Sequence, residues 1–297
     1  MNMEKKIIAL GFFDGVHLGH QALLAACRQL ADQMDCIAAA LTFTAHPDGL
    51  VSGKTPALLN TPQDREYLLR EQYHMDQVIF LPFNRAMMRM PWKTFFRMLL
   101  IHHDAAGLVC GADFRFGSRG EGNAQLLAQA CAEEGIPCLV VPQQKLDGVP
   151  VSSTHIRALL EAGALDRANA FLGHPHRFTG TVVPGKGLGR TLGIPTANLI
   201  LPRDILCPRH GVYACKAIVE GKVFLAVTNV GTRPTVSGGY VTVEPWILDF
   251  DGDLYGKTVT LEFHSFLRPE QKFDSLEALR EEILKNARQT REFFQKK

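Results

Sequence analysis

The sequence predicts an α/β domain built on a parallel sheet, followed by a smaller all-β domain, an antiparallel barrel with a terminal helix. Three observations lead there. Up to about residue 170, short runs that are apolar throughout alternate with amphipathic helical stretches, the mark of strands buried on both faces beneath crossover helices. Beyond Leu172-Gly173-His174-Pro175 strands follow one another, with Gly and Pro turns between them, as in compact antiparallel barrels. The length of 297 residues exceeds that of a typical single domain. Two domains are therefore expected, 1–173 and 174–297.

In the first domain the expected strands are 6–12, 36–43, 77–81, 106–111 and 137–142, and the expected helices 18–33, 63–74, 92–102, 123–134 and 154–162. Ligands meet such sheets beyond the carboxyl ends of the strands. In the second domain the strands are 178–184, 211–219, 223–230, 240–249 and 257–264. A last helix over 274–294 sets Leu276, Leu279, Ile283, Leu284 and Phe293 at helical spacing for packing on the barrel.

Composition narrows the class. A net charge of +2 with 21% charged residues argues against a nucleic-acid scaffold and against a disordered tail. Seven scattered cysteines, mostly inside apolar runs, read as reduced packing residues of a cytoplasmic protein. The apolar start Ile7-Ile8-Ala9-Leu10 is ended by Asp14 too soon for a signal peptide, and no later run is long enough to span a membrane.

The most informative stretch is Gly11-Phe12-Phe13-Asp14-Gly15-Val16-His17-Leu18-Gly19-His20, between an apolar strand and the helical run from Ala22 to Cys27. A helix N-terminus presents unpaired N–H groups and about half a positive charge, so it favours an anion. Two imidazoles there add donors that can follow charge moving onto a phosphate. Gly15 and Gly19 let backbone approach a ligand. A lone His at such a place would be a cap or a solvated residue, and a zinc pair is the other rival. Zinc is disfavoured because no third ligand is spaced nearby and the cysteines form no C-x-x-C pair.

Further segments fall at strand ends: Thr42-Phe43-Thr44-Ala45-His46-Pro47, Gly111-Ala112-Asp113-Phe114-Arg115-Phe116-Gly117, and Asn123 at a helix start. In Val151-Ser152-Ser153-Thr154-His155-Ile156-Arg157 the hydroxyls suit a helix cap. Arg157, one turn in, adds a guanidinium fork that suits phosphate oxygens. Gly180 to Lys186 fits G-x-x-x-x-G-K, but Gly187 stands where a Walker loop needs Ser or Thr and no helix follows. Such a loop can still wrap phosphates through backbone N–H groups.

These motifs carry a resemblance. The His-x-Gly-His turn with a Ser-Ser-Thr-x-x-Arg helix start is similar to the nucleotidylyltransferase superfamily, whose domain is Rossmann-like. GFFDGVHLGHQ, GADFRFG and VSSTHIR resemble the adenylyltransferase half of the bacterial bifunctional riboflavin kinase/FAD synthetase family. Gly185-Lys186-Gly187-Leu188-Gly189-Arg190, Gly193-Ile194-Pro195-Thr196-Ala197-Asn198-Leu199, Gly211-Val212-Tyr213, Asn229-Val230-Gly231-Thr232-Arg233-Pro234-Thr235 and Leu267-Arg268-Pro269-Glu270 resemble its flavokinase domain. The likeness runs through nearly the whole chain in the family's order.

The resemblance implies two reactions: riboflavin to FMN in the barrel, then FMN to FAD in the α/β domain, with ATP as co-substrate and Mg2+ as cofactor. It places His17, His20, Arg157 and Glu244 in catalysis. Gly11, Phe13, Asp14, Ser152, Ser153, Thr154, Gly185, Lys186, Gly187, Gly189 and Asn198 fall to ATP and its phosphates. Asp113, Phe116, Asn123 and Arg268 fall to the flavin, and Thr196 to the metal. Two departures bear on flavin fit: Glu244-Pro245-Trp246, where the family usually has a His at the third place, and Lys285-Asn286, where an Asp is common. The expected partners are riboflavin, FMN, FAD and ATP, with no nucleic acid and no membrane, in a monomer or weak homo-oligomer. The rival readings are a chain with one working half, a barrel that binds nucleic acid, and a non-catalytic flavin sensor.

Overall fold

In the computed structural model, which describes residues 4–51, 53, 55–185, 189, 193–233 and 240–296, the early apolar runs form a five-stranded parallel sheet. Its strands are β1 (Lys6–Leu10), β2 (Ile37–Phe43), β3 (Gln77–Leu81), β4 (Ala105–Gly111) and β5 (Cys138–Val141), in the order β3-β2-β1-β4-β5. The helices are α1 (Leu18–Met34), α2 (Pro62–Tyr67), α3 (Trp92–His102), α4 (Ala124–Glu133), α5 (Ser153–Ala162), α6 (Leu165–Leu172) and α7 (Leu276–Gln295). Successive strand side chains point to opposite faces. Ile7 and Ala9 therefore join Leu24, Cys27 and Ala31 of α1, while Ile8 and Leu10 join Phe95 and Leu99 of α3 and Leu127 of α4. The strand order reverses on either side of β1, and at such a switch point a crevice opens beyond the strand ends.

Two compact units divide the chain, Met1–Pro56 with Arg65–Ser153, and Ala57–Asp64 with Thr154–Lys297. The second contains β6 (His176–Thr181), β7 (Leu199–Ile200), β8 (Gly211–Val219), β9 (Lys222–Arg233), β10 (Tyr240–Ile247) and β11 (Thr258–Arg268), in the order β6-β11-β8-β9-β10-β7. Every pairing is antiparallel, and a bridge between Val182 and Leu199 brings the two ends of the sheet together. Register shifts between β8 and β11, at Val212/Tyr213 and Ala214/Cys215, give the extra bend that closure needs. Tyr213 and Phe263 fill the interior edge to face, with centroids 5.3 Å apart. Val212, Val227, Leu248 and Ala287 of α7 form a smaller cluster beside it. Ser275 starts α7 by accepting the Ala278 N–H at 3.0 Å, the expected N-cap bond.

The segment before α2 is part of this second unit. Its Leu58 N–H donates to Asp204 O at 2.8 Å, and Leu58 O accepts the Leu206 N–H at 2.8 Å. Asp64, 1% exposed, accepts from Arg177 Nε at 3.1 Å, from the Thr179 N–H at 2.9 Å and from the Thr179 hydroxyl. A buried carboxylate is tolerable only when so fully paired.

His176 at the start of β6 is 2% exposed and its Nδ1 has no hydrogen-bond partner. Burial, with a smaller push from His174, lowers its pKa to about 4. The unfolded chain takes up a proton near pH 6.5, and the folded one refuses it until about 4. Stability conferred by the neutral ring is therefore present above 6.5 and is lost as pH falls through that window, by up to about 3 kcal/mol. His176→Met is expected to narrow the gap between urea midpoints measured at neutral and at mildly acid pH. An unchanged gap would assign the acid sensitivity elsewhere.

Candidate active sites

The first site grows from the turn after β1. Phe13 (φ 58°) and Val16 (φ 40°) both adopt the left-handed region, as does Gly15 (φ 80°), a costly conformation for an aromatic and a β-branched residue. Phe13 and Asp14 are buried, and the backbone between them and α1 is folded tightly enough for His17 to cap the helix. His17 Nδ1 accepts the His20 N–H at 3.3 Å. Gly19 permits this, since a Cβ there would lie 3.2 Å from the His17 ring. Because Nδ1 accepts, the proton of neutral His17 sits on Nε2. The two rings stack at 3.7 Å with planes 10° apart.

His20 is held neutral. Its pKa lies well below 6.5, first through burial and then through His17 and Arg65. Its Nδ1 is buried without a hydrogen-bond partner. Neutral imidazoles can donate hydrogen bonds to a developing oxyanion without the repulsion two imidazolium ions would suffer at this distance. A cavity of about 290 Å3 opens beside His20, lined by Gly11, Phe12, Phe43, Asp113, Phe114 and Arg115 among others. The structure thus brings Gly11, His20 and Asp113 together.

Phe116 and Asn123 do not line this cavity. Phe116 is buried among Phe95, Trp92 and Phe114, so the aromatic on the cavity wall is Phe114. Alternation along the short strand Arg115–Phe116 turns Phe116 inward. Asn123 spends its side-chain oxygen on the Leu126 N–H at 2.9 Å, capping α4 rather than lining the cavity.

Ser153 Oγ donates to Asp14 O at 2.9 Å. Ser152 is half-buried and Thr154 exposed. Arg157 Nε donates to Ala57 O at 2.7 Å.

The second site lies on the barrel. Gly185 sits where a Cβ would fall 2.1 Å from Asn198 Nδ2, so only glycine fits beside this side chain. Lys186 and Gly187 lie outside the described residues. At Gly189 a Cβ would meet Ile194 O at 2.3 Å and Thr196 Oγ1 at 3.2 Å. Thr196 borders two cavities. One, of about 350 Å3, also holds Asn229, Glu244, Trp246, Arg268 and Asn286. The other, of about 600 Å3, holds Val182, Pro245, Phe250, Asp253 and Tyr255.

Glu244 stands opposite Asn229 in the β9–β10 register and accepts the Thr242 hydroxyl at 3.0 Å. Arg268 Nε donates to Asn286 Oδ1 at 3.1 Å and pairs with Glu282 at 3.4 Å. The neutral amide of Asn286 therefore still anchors the arginine, while the negative charge comes from one helical turn earlier. Trp246 packs beside the Val212 and Val227 cluster and forms an apolar wall. Among the described residues no group of three or more His, Cys, Asp or Glu side chains is placed to hold a metal ion.

Two family models match this chain: FAD synthetase over residues 1–155 and riboflavin kinase over residues 172–294. The bifunctional riboflavin kinase/FMN adenylyltransferase of Haemophilus influenzae is 38% identical over 97% of this chain and 94% of its own. The chain belongs to the bifunctional riboflavin kinase/FMN adenylyltransferase family. Members from Listeria monocytogenes and Escherichia coli are 34% and 36% identical, each over 98% of this chain and 93% of theirs. A solved structure described as a macrolide-efflux protein from Streptococcus pneumoniae is 28% identical with a TM-score of 0.87, covering 98% of this chain and 95% of that one. No helix among the described residues is long and apolar enough to cross a membrane.

The sequence motifs of this family missed one residue of the first site. Arg65 touches the turn through its backbone, and nothing in the spacing of charged residues on α2 signals that.

Proposed function

We propose that this chain phosphorylates riboflavin on the barrel and adenylylates FMN on the α/β unit. It uses one ATP in each step, releasing ADP in the first and pyrophosphate in the second. The observation that carries the kinase assignment is the position of Thr196 on the shared wall of two cavities, one of which contains the Glu244 carboxylate. Flavin occupies the cavity with Glu244, Trp246 and Arg268, and the nucleotide the one bordered by Phe250 and Tyr255, with Gly185, Lys186, Gly187 and Gly189 over its phosphates. Glu244 takes the proton of the riboflavin 5′-hydroxyl as its oxygen attacks the γ-phosphorus.

The donor set fits Mg2+. Thr196 and Asn198 offer hard oxygen atoms, and this ion takes one or two protein oxygens with phosphate and water completing its shell. When bound it neutralises charge on the phosphates.

In the α/β unit the FMN phosphate attacks the α-phosphorus of ATP. His17 Nε2–H and His20 stabilise charge on the pentacoordinate centre and the departing pyrophosphate, beside the N-terminus of α1. Gly11, Phe13 and Asp14 shape the nucleotide's approach through the turn. Ser152, Ser153, Thr154 and Arg157 hold the β- and γ-phosphates, and Asp113 with Phe114 faces the flavin. The phosphate nucleophile is already anionic, so no covalent enzyme intermediate is needed. We draw the functional boundary at residue 173, between the two family models, and place the enzyme in the cytoplasm as a monomer or weak homo-oligomer without a nucleic-acid ligand. The near-zero net charge and seven free cysteines support that placement.

Incubating the full chain with riboflavin, ATP and Mg2+ and separating the flavins tests the whole scheme. FMN should appear first and FAD after it. Absence of both would overturn the enzyme reading, and FMN without FAD would confine activity to the barrel.

A further inference from the structure

Arg65 is the side chain on which the first site leans most. It is 2% exposed, yet its guanidinium spans the ends of two neighbouring strands. Nη1 donates to Phe12 O at 2.9 Å, just past β1, and Nη2 to Phe43 O at 2.8 Å, the last residue of β2. The same group lies over the Phe12 ring at 4.5 Å and the Phe80 ring at 5.5 Å. Its Nε is buried with no hydrogen-bond partner. Phe12 O also accepts the Thr42 hydroxyl at 2.7 Å, so the residue just before the left-handed Phe13 is fixed from two directions.

Only a planar fork with donors on two arms bridges two carbonyls in this way; an ammonium is a single point of charge. Burying such a group is costly, and fold stability alone gives no reason to place it at the ligand-binding end of the sheet. Burial lowers its pKa to about 10, with Asp14 opposing, so it is a cation at neutral pH. Left-handed turns of non-glycine residues persist only where the surroundings over-determine them.

We propose that Arg65 is a positioning residue for adenylyl transfer: it clamps the carbonyls of Phe12 and Phe43 to hold the histidine turn in its left-handed form, and it sets a fixed positive charge behind the polyphosphate. This rests on the assignment of His17 and His20 to that reaction. The ionisable groups that face His20 are His17, stacked on it, Arg65 behind it with Asp14, and Asp113 and Arg115 on the same cavity. Loss of the Arg65 charge removes one of the influences that keep His20 neutral, so His20 would then protonate at higher pH.

The test uses the full chain and three variants, Arg65→Met, Arg65→Lys and His20→Ala, each assayed for FAD from FMN and ATP and for FMN from riboflavin. Arg65→Met should lower kcat for FAD formation by about 100-fold, the scale of a misplacement near 1 Å, with FMN formation unchanged. The acid limb of its pH profile should move to higher pH. Arg65→Lys should lower kcat while leaving that limb in place, because the charge remains. FAD formation within about threefold of the parent in either folded variant would overturn the proposal. So would a loss with no displacement of the limb in Arg65→Met, which marks a purely structural role. Should Arg65→Met fail to fold, Arg65→Lys decides by its kcat. Full FAD synthesis in His20→Ala would instead sink the assignment of the histidines, a separate failure.

Discussion

Glu244→Gln is expected to abolish FMN formation from riboflavin, by about 10²–10⁴-fold, the usual contribution of a positioned general base, while FAD formation from supplied FMN continues. The substitution is nearly isosteric. A glutamine oxygen can still accept the Thr242 hydroxyl now bound at 3.0 Å, so β10 keeps its local bonds. What disappears is the group able to take a proton beside Thr196 and Asn229. Separating flavins after incubation with riboflavin, or with FMN, reads the two reactions independently. Persistence of the kinase would remove Glu244 from the base role. Equal loss of both reactions with the fold intact would contradict the division between barrel and α/β unit.

The converse variant carries the second large effect. His20→Ala should lower FAD formation by about 10²–10³-fold, as removal of one oxyanion donor does, and leave riboflavin phosphorylation intact. The stack with His17 at 3.7 Å would be lost, but the bond that caps α1 runs from the His20 backbone N–H to His17 Nδ1 and survives. The effect should therefore fall on kcat more than on the affinity for FMN, whose neighbours in the cavity remain. A rise in KM alone would mean that His20 binds substrate without serving the transition state.

Most of the fold was legible because burial and period coincide. Strands apolar on both faces could only be internal to a covered sheet, and Gln77–Leu81 and Gly211–Val219 match their expected ranges. Helix α6 was missed: no side chain caps its start at Ala164, and its last residues coincide with the stretch that marks the change of pattern. β7 is two residues long, too short for any alternation to register. The helix expected over 63–74 instead ends as α2 at Tyr67 and continues as a wider turn over Leu68–Gln72.

At the proposed sites, spacing pointed to the histidines because the two lie within one helical turn. Glu244 and Thr196 needed the family likeness, since one carboxylate on a strand and one hydroxyl in a turn have no distinctive period. Asp64 and Arg65 were illegible for another reason. Two adjacent charges on a helix read as a solvated face, whereas their partners lie 113 and 53 residues away in the chain. Phe114 and Phe116 stand two residues apart, which in a strand would put both on one face, but the strand begins only at Arg115, and the sequence does not say which of the two faces the cavity.

The bond between Asp64 and Arg177 has a consequence for anyone who would divide the gene. The more deeply buried of the two carboxylates paired with this barrel arginine is encoded more than a hundred residues upstream, inside the half assigned to the other reaction. A kinase fragment beginning at residue 174 would keep every residue assigned to its chemistry and still lose the buried partner of Arg177, leaving Glu262 at 3.5 Å as its carboxylate. Catalytic modularity and folding modularity therefore have different borders in this polypeptide. The two enzymes could be shuffled as independent cassettes only if the short stretch Ala57–Asp64 travelled with the barrel.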